Sequence, residues 1–437
     1  MRSRLLVVFS LLAACGRGGK LSRVADAGPA VMVVDHSPSG AVITQEREPN
    51  DTGEGVSAIP FPLAARGTIG KGGDRDVFLA EVPYQGILAA RLSGISDADL
   101  VFEVRSAQDK LLALSDNGPK GIVEGVPNLV LGPGTYRLVV REFEKPSRDK
   151  TSTPAPLRTS PSTPYLLEAS LGLVPALGHE AEPNDGSAFA GILPPGQPRE
   201  GYVGWRKDRD TWRVPLEGIG EDQALSVDVT GLPGVPLTVS ISDGTEVILV
   251  TRSGKAGEAV ALRNIAVRPG EPAFFVVVTG PRGNLDERYS VHVSTAPFQL
   301  DEEEEPNDTP TQAAPLSEVP SADSGIRVGF LVTGDKDYFR LAPSPTARTL
   351  HVTLEPPPDV DATLALVSEA GKEIVPALDV GKKGAKEHLQ GVHVPEDAPV
   401  LVRITAKGIG NPTMRYRLRW SAVMATEPAL LPGVLEE

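Results

Sequence analysis

Three short acidic segments recur in the chain and supply the side chains best suited to chemistry. Each contains two glutamates spaced two residues apart, a proline, an asparagine and an aspartate, and each is followed by an Asp-basic-Asp triplet. Carboxylate and amide oxygens are the ligands that Ca²⁺ prefers, six to eight at a time. The predicted ligands are Glu46, Glu48, Asn50, Asp51, Asp74 and Asp76; then Glu180, Glu182, Asn184, Asp185, Asp208 and Asp210; then Glu303, Glu305, Asn307, Asp308, Asp335 and Asp337.

The spacing within each set favours convergence on one ion. In an extended segment, residues i and i+2 point to the same side, so Glu46 and Glu48 face one way together. The following Asn-Asp pair favours a turn that folds more oxygens inward, and the triplet aspartates can arrive from a neighbouring loop. The alternative is that these acids are solvated and only cap a strand and a turn. The basic residue inside each triplet keeps that alternative open.

The spacing between the sets predicts three related domains. The aspartate that ends each acidic segment and the first aspartate of the triplet that follows it are 23 residues apart in the first and second copies, and 27 in the third. The segment itself recurs after 134 residues and again after 123. That period is too long for a solenoid repeat and fits an independent domain, and 437 residues suffice for three.

The apolar residues alternate with polar ones, as in strands with one buried face. Leu225, Val227 and Val229 show this period of two, and so do Leu350–Leu354 and Tyr416–Trp420. Turn signals separate these runs, and no sustained helical periodicity is present, so the prediction is all-β: three tandem, jelly-roll-like β-sandwiches. The expected ranges are a lipoprotein signal peptide at 1–14, a lipidated Cys and flexible tether at 15–45, sandwiches at 46–173, 178–296 and 302–421, and a C-terminal tail at 422–437.

The first residues resemble a bacterial lipoprotein signal. A basic start precedes an apolar run from Leu5 to Leu12, and Ala13-Ala14 leads to Cys15, the only cysteine in the chain. In such signals the cysteine is lipidated and anchors the mature protein to a membrane. The resemblance implies a protein of the cell envelope, with Gly16 after the cysteine pointing to the outer membrane. An ordinary signal peptide with a stray cysteine is the alternative.

Composition and missing motifs exclude several functions. The net charge of −14 argues against nucleic acid and against electrostatic adsorption to anionic lipids. The sequence contains no Gly-x-Ser-x-Gly, no His-Glu-x-x-His and no phosphate-binding loop. We therefore expect a protein that is not an enzyme. Trp212 is expected in a core, and Trp205 is the one tryptophan left for a binding surface.

The repeated pattern is similar to that of the bacterial pre-peptidase C-terminal domain. The resemblance rests on Glu-Pro-Asn-Asp, the Asp-x-Asp triplet before an aromatic residue, and a last strand that begins with tyrosine, three times over. It implies β-sandwiches, related to collagenase collagen-binding domains, whose acidic opening binds calcium. The expected function is a surface-anchored binding or scaffolding lipoprotein that contacts envelope or extracellular proteins or glycans. The alternative is an accessory subunit that presents protein fibres or glycans to a secreted degrading enzyme.

Overall fold

The structure is a computed structural model that describes residues 42–144, 159–173, 178–245, 247–267, 270–299 and 301–425. Within these ranges the chain forms 27 β-strands and two single-turn 3₁₀ helices, Ser187–Phe189 and Pro310–Gln312, and no α-helix. No helix of this part of the chain is long and apolar enough to span a membrane. The predicted signal peptide, Cys15 and most of the tether lie outside the described residues.

The strands form six sheets that pair, in chain order, into three β-sandwiches, here called jelly rolls 1, 2 and 3. In jelly roll 1 one sheet has the order β1-β2-β9-β4-β7, and the other has the order β3-β8-β5-β6. Beyond the short edge strand β1, this is the order of an eight-stranded jelly roll. Its strands are β1 (Ile43–Gln45), β2 (Leu63–Ile69), β3 (Arg75–Val82), β4 (Gly86–Leu92), β5 (Leu100–Ser106), β6 (Leu111–Ser115), β7 (Glu124–Leu131), β8 (Gly134–Glu142) and β9 (Ser160–Gly172).

Jelly roll 2 repeats this topology, with sheets β11-β18-β13-β16 and β10-β12-β17-β14-β15. Its strands are β10 (Gly191–Ile192), β11 (Arg199–Gly201), β12 (Arg209–Pro215), β13 (Gln223–Val229), β14 (Thr238–Ser242), β15 (Ile248–Ser253), β16 (Val260–Ala266), β17 (Ala273–Thr279) and β18 (Tyr289–Pro297).

Jelly roll 3 has sheets β20-β27-β22-β25 and β19-β21-β26-β23-β24. Its strands are β19 (Ala314–Pro315), β20 (Ser324–Leu331), β21 (Lys336–Leu341), β22 (Arg348–Glu355), β23 (Ala362–Ser368), β24 (Glu373–Leu378), β25 (Glu387–Val394), β26 (Val400–Ala406) and β27 (Asn411–Met424). The all-β prediction of three tandem jelly-roll-like sandwiches is confirmed.

The alternating patterns mark the strands that line each core. Leu225, Val227 and Val229 lie on β13 and are buried, while the polar residues between them face outward or lie at the margin. The aromatic residues that follow the aspartate triplets, Phe78, Trp212 and Phe339, are buried in the three cores. Trp212 is therefore the core residue that its position predicts.

Neighbouring jelly rolls are joined by the same pair of backbone hydrogen bonds. The Glu182 amide donates to the Asn128 carbonyl at 3.0 Å, and the Val130 amide donates back to the Glu182 carbonyl at 2.9 Å. At the second junction, Glu305 makes the equivalent pair with Asn264 and Ala266, at 2.9 and 3.1 Å. The acidic segments of jelly rolls 2 and 3 therefore lie at domain junctions.

Trp205 also belongs to a junction. It is 9% exposed and packs with the hydrophobic core cluster of jelly roll 1, although it belongs to jelly roll 2. Jelly roll 1 covers the Trp205 side chain, and this packing explains the tryptophan without a binding surface.

Candidate metal centres

The first glutamate of each acidic segment ties that segment to its own jelly roll. Its carboxylate accepts a hydrogen bond from a backbone amide in, or directly after, the strand beside it, which closes the start of the domain. The same contact occurs three times: Thr68 donates to Glu46 at 2.7 Å, Tyr202 to Glu180 at 2.8 Å, and Phe330 to Glu303 at 2.6 Å.

A buried tyrosine near or at the start of the last strand of each jelly roll reaches the same carboxylates. The Tyr165 hydroxyl donates to Asp76 Oδ2 at 2.5 Å, and the Tyr416 hydroxyl donates to Glu303 Oε2 at 2.6 Å. In jelly roll 2 the Tyr289 hydroxyl accepts a hydrogen bond of 2.9 Å from Trp212 Nε1 and interacts with Asp210. The tyrosines therefore fix the orientation of carboxylates in or beside the cluster.

A glycine makes room for each of these tyrosine-carboxylate contacts. A β-carbon at Gly67 would overlap the Glu46 carboxylate and the Tyr165 hydroxyl. Gly201 and Gly329 lie at the corresponding places, against Tyr289 and Glu303. The glycine, glutamate and tyrosine thus form one repeated structural unit.

The second glutamate and the first triplet aspartate order the loops beside the cluster. Each second glutamate accepts a hydrogen bond from the amide of the asparagine two residues later, at 3.1, 2.9 and 2.7 Å in the three copies. Asp74 and Asp208 each accept an amide at 2.6 Å, from Gly70 and Gly204. The peptide bond between the second glutamate and the proline that follows it is cis in all three copies.

Carboxylates from the acidic segment and the triplet come together in every jelly roll. In each set below, one oxygen per residue lies within 4.8 Å of the others, which is the spacing of ligands around one ion. Jelly roll 2 has two such sets, which share Glu182. The sets are Glu46, Glu48 and Asp76; Glu180, Glu182 and Asp210; Glu182, Asp185 and Asp208; and Glu305, Asp335 and Asp337.

Several buried oxygens of these clusters have no hydrogen-bond partner among the described residues, and burying a polar atom in this way is costly. They are Asn50 Oδ1, Asp74 Oδ1 and Asp76 Oδ1 in jelly roll 1, Glu182 Oε1, Asn184 Oδ1 and Asp210 Oδ2 in jelly roll 2, and Asn307 Oδ1 and both carboxylate oxygens of Asp337 in jelly roll 3. All are hard oxygen donors, and no cysteine or histidine belongs to any set. The donor set fits calcium better than a transition metal.

Burial and mutual repulsion work against full ionisation of these carboxyls without a cation. Burial, with the facing Asp208 and Asp210, raises the pKa of Glu182 to about 10. Burial raises the pKa of Asp76 to about 8 and that of Asp208 to about 7. A bound divalent cation would favour the ionised forms and so offset this penalty.

The cluster of jelly roll 1 is more open than the others. Glu48 is exposed, whereas its counterparts Glu182 and Glu305 are buried at the junctions. Lys71 reaches this open side, with its ammonium group 2.6 Å from Asp51 Oδ2 and 3.7 Å from Asp74 Oδ1. The Lys71 side chain is 54% exposed, so solvent weakens these ion pairs.

The cluster of jelly roll 3 already contains a positive charge. Arg252 of β15, in jelly roll 2, extends across the junction and is 4% exposed. Its guanidinium lies 3.1 Å from Glu305 Oε1 and 2.8 Å from Asp308 Oδ2. It also bonds to Asp335.

The structure therefore brings most of the predicted ligands together, with exceptions. Asp51 and Asp74 lie beside Lys71, and Asp308 pairs with Arg252; none of these three aspartates belongs to a set whose oxygens lie within 4.8 Å of one another. The two carboxylate oxygens of Glu303 accept hydrogen bonds from the Phe330 amide and the Tyr416 hydroxyl. Sequence reasoning missed the tyrosines as cluster residues and missed Arg252 altogether. The tyrosine repeated in each last strand was the available signal.

Comparison with known proteins identifies no family. No family model matches the chain, and no curated protein matches it. Solved structures that resemble it do so weakly. They include a protein of Eubacterium rectale described as secreted, with 8% identity over 55% of this chain and 81% of that one, at a TM-score of 0.19.

Two further structures are similar at the same level. The tandem CBM22-1 and CBM22-2 domains of Paenibacillus barcinonensis Xyn10C are 9% identical, over 49% of this chain and 82% of theirs, at a TM-score of 0.15. A triple jelly-roll protein of an archaeal virus turret is 8% identical, over 82% and 84%, at 0.17. Similarities at this level do not indicate a function.

Proposed function

We propose that the protein is a non-catalytic scaffold of the bacterial envelope, anchored by a lipid on Cys15 and built from calcium-assisted domains of the pre-peptidase C-terminal type. The observation that carries the proposal is the repetition of buried carboxylates with unpartnered oxygens at the start of each jelly roll. A structural ion accounts for such a cluster, because it satisfies the oxygens and removes their repulsion.

Calcium in this proposal has a structural role. In jelly roll 2 the cluster lies against jelly roll 1, where the side-chain amide of Asn128 donates to Glu180. An ion held by Glu182, Asp185 and Asp208 would stabilise both the start of jelly roll 2 and its contact with jelly roll 1. The chain would then present a defined array of domains, and partners would bind at loops that differ among the three.

The test is the thermal stability of the mature chain in calcium and in chelator. A ligand at a hundredfold excess over its dissociation constant stabilises by about 2.7 kcal/mol. Glu182→Gln with Asp185→Asn should abolish the calcium-dependent shift of jelly roll 2. Magnesium should replace calcium poorly, because it requires a tighter octahedron and gives up water reluctantly.

A matched control removes two charges from the same domain outside the cluster. Glu217→Gln with Asp222→Asn changes exposed acids of jelly roll 2 and should leave the calcium response intact. If the wild type melts at the same temperature in calcium and in chelator, the acids are solvated caps and the calcium proposal is wrong. Capture of envelope proteins with and without calcium then tests the scaffold itself.

A further inference from the structure

We propose that Arg252 serves as a built-in cation among Glu305, Asp308 and Asp335 of jelly roll 3, so that this place takes no calcium while the matching place in jelly roll 2 does. The inference rests on the proposed calcium role, and it assigns a different source of stability to each of the two domain junctions. The first would depend on a metal ion, and the second on an arginine of the preceding domain.

The argument begins with equivalent positions. Glu182, Asp185 and Asp208 occupy the same places in their segment and triplet as Glu305, Asp308 and Asp335. In jelly roll 2 one oxygen from each of the three lies within 4.8 Å of the others. In jelly roll 3 the corresponding three are the carboxylates that Arg252 contacts. The guanidinium therefore lies where a metal ion would bind in jelly roll 2.

The arginine and an ion exclude each other. The guanidinium is buried and donates to all three carboxylates, so a divalent ion at the same place would meet an adjacent positive charge in a poorly hydrated site. An arginine remains protonated in proteins, so it cannot leave by losing its charge. Only 4% of its side chain is exposed, so it has little direct access to solvent.

The first junction lacks such an arginine. Arg252 pairs with Val239 across β14 and β15, and the matching position in jelly roll 1 is Ser115, which pairs with Phe102. The Ser115 hydroxyl donates to Glu124 within its own domain. In the part of the chain that the structure describes, no basic side chain forms an ion pair with Glu182, Asp185 or Asp208, although the charge of Arg209 acts on Asp185 from a longer distance. That trio therefore has the charge of the third cluster without its cation.

Calcium stoichiometry of the mature chain tests the inference. Arg252→Ala should bind one more calcium ion than the wild type in equilibrium dialysis, because the third cluster is released. The matched control is Arg263→Ala, which removes an arginine at the same junction. Arg263 donates to the Pro412 carbonyl at 2.8 Å and does not contact the cluster, so its loss should leave the number of ions unchanged.

The outcomes separate the inference from the proposed function. If the wild type binds no calcium, the proposed function is contradicted. If Arg252→Ala gains no ion over the wild type, the role of Arg252 is contradicted, whatever the wild type binds. An equal gain in Arg263→Ala would also overturn it, because the effect would then be one of net charge.

A second measurement tests the inference in case Arg252→Ala folds poorly without metal. Hydrogen exchange of β21 and its partner β26 should quicken in Arg252→Ala in chelator, because the buried Asp335, directly before β21, loses the guanidinium. Calcium should restore their protection, and magnesium should not. A loss of protection that calcium does not restore counts against the inference.

Discussion

The Tyr416 hydroxyl donates a hydrogen bond of 2.6 Å to the Glu303 carboxylate and connects the last strand of jelly roll 3 to residues 113 positions earlier. Both side chains are buried. The contact closes the domain, because it joins the segment where the jelly roll begins to the strand where it ends. It also leaves Glu303 tied to the protein and so removes one carboxylate from the potential ligands of jelly roll 3.

Replacing this tyrosine tests the closure. Tyr416→Phe should destabilise jelly roll 3 by about 1–3 kcal/mol, since a buried carboxylate loses its partner. Hydrogen exchange of the β27 amides measures the change in that domain alone. Tyr338→Phe is the control, because Tyr338 is buried in the same domain and its hydroxyl has no hydrogen bond in the described structure. Equal effects of the two substitutions would contradict a specific role for Tyr416.

The glycine beside the tyrosine should be equally sensitive. A β-carbon at Gly201 would overlap the Tyr289 hydroxyl and the Glu180 side chain. Gly201→Ala should therefore cost about 1–3 kcal/mol through overpacking, read as a lower melting temperature of jelly roll 2. Gly186→Ala is the control, since nothing lies within 4 Å of its added carbon. If Gly201→Ala is as stable as this control, the Tyr289 and Glu180 side chains move aside without cost, and the prediction is wrong.

The sequence predicts the architecture well because the signals for it are local. Alternation identifies strands such as β13 and β27, and the repeated segments divide the chain into domains. The last strand of jelly roll 1 begins at Ser160, earlier than Tyr165, the tyrosine expected to begin it. Side-chain hydrogen bonds from Ser160 and Thr163 to Asp97 hold this early part, and such distant partners leave no local pattern.

The candidate site is only partly predictable for the same reason. The acids that a domain uses lie close together in sequence, so their convergence could be inferred from spacing. Arg252 occupies an ordinary strand position, and only the packing of one jelly roll against the next brings it to Glu305 and Asp335. A residue that acts across a domain boundary has no sequence signal within the domain that it serves.

Glu124 should make the stability of jelly roll 1 depend on pH. Burial raises its pKa from 4.5 to about 7, although Ser115 and Asn117 donate hydrogen bonds to it. The folded state then binds more protons than the unfolded state, so this residue's contribution to stability falls as pH rises from about 4.5 to about 7. A shift of this size corresponds to roughly 3 kcal/mol.

The difference between Glu124→Gln and the wild type isolates this effect from other titrating groups. The free energy of unfolding of the variant, relative to the wild type, should increase as pH rises through that range and level off above about pH 7. Denaturant unfolding in saturating calcium at several pH values measures it. A difference that does not vary with pH would show that Glu124 is ionised in the folded protein throughout.

The proposed lipid anchor is tested separately from the folded domains. Cys15 is the only cysteine and follows an apolar run that ends in Ala13-Ala14. Cys15→Ser should abolish incorporation of a labelled fatty acid and release the protein from the membrane fraction. A wild type that incorporates no label would contradict the lipoprotein assignment and leave the calcium proposal unaffected.

Trp205 should couple the stability of the first two jelly rolls. The side chain is buried in the core cluster of jelly roll 1 while its backbone belongs to jelly roll 2. Trp205→Ala should cost about 3 kcal/mol, as do other large-to-small changes at buried aromatic residues. Because the lost contacts are in jelly roll 1, hydrogen exchange should quicken in β5 and β7 as well as in β12. Phe189→Ala is the control, since that ring is 69% exposed in jelly roll 2 and should have little effect. If exchange quickens in jelly roll 2 alone, the two domains are stable independently, and calcium at their junction would then stabilise one domain and not the array.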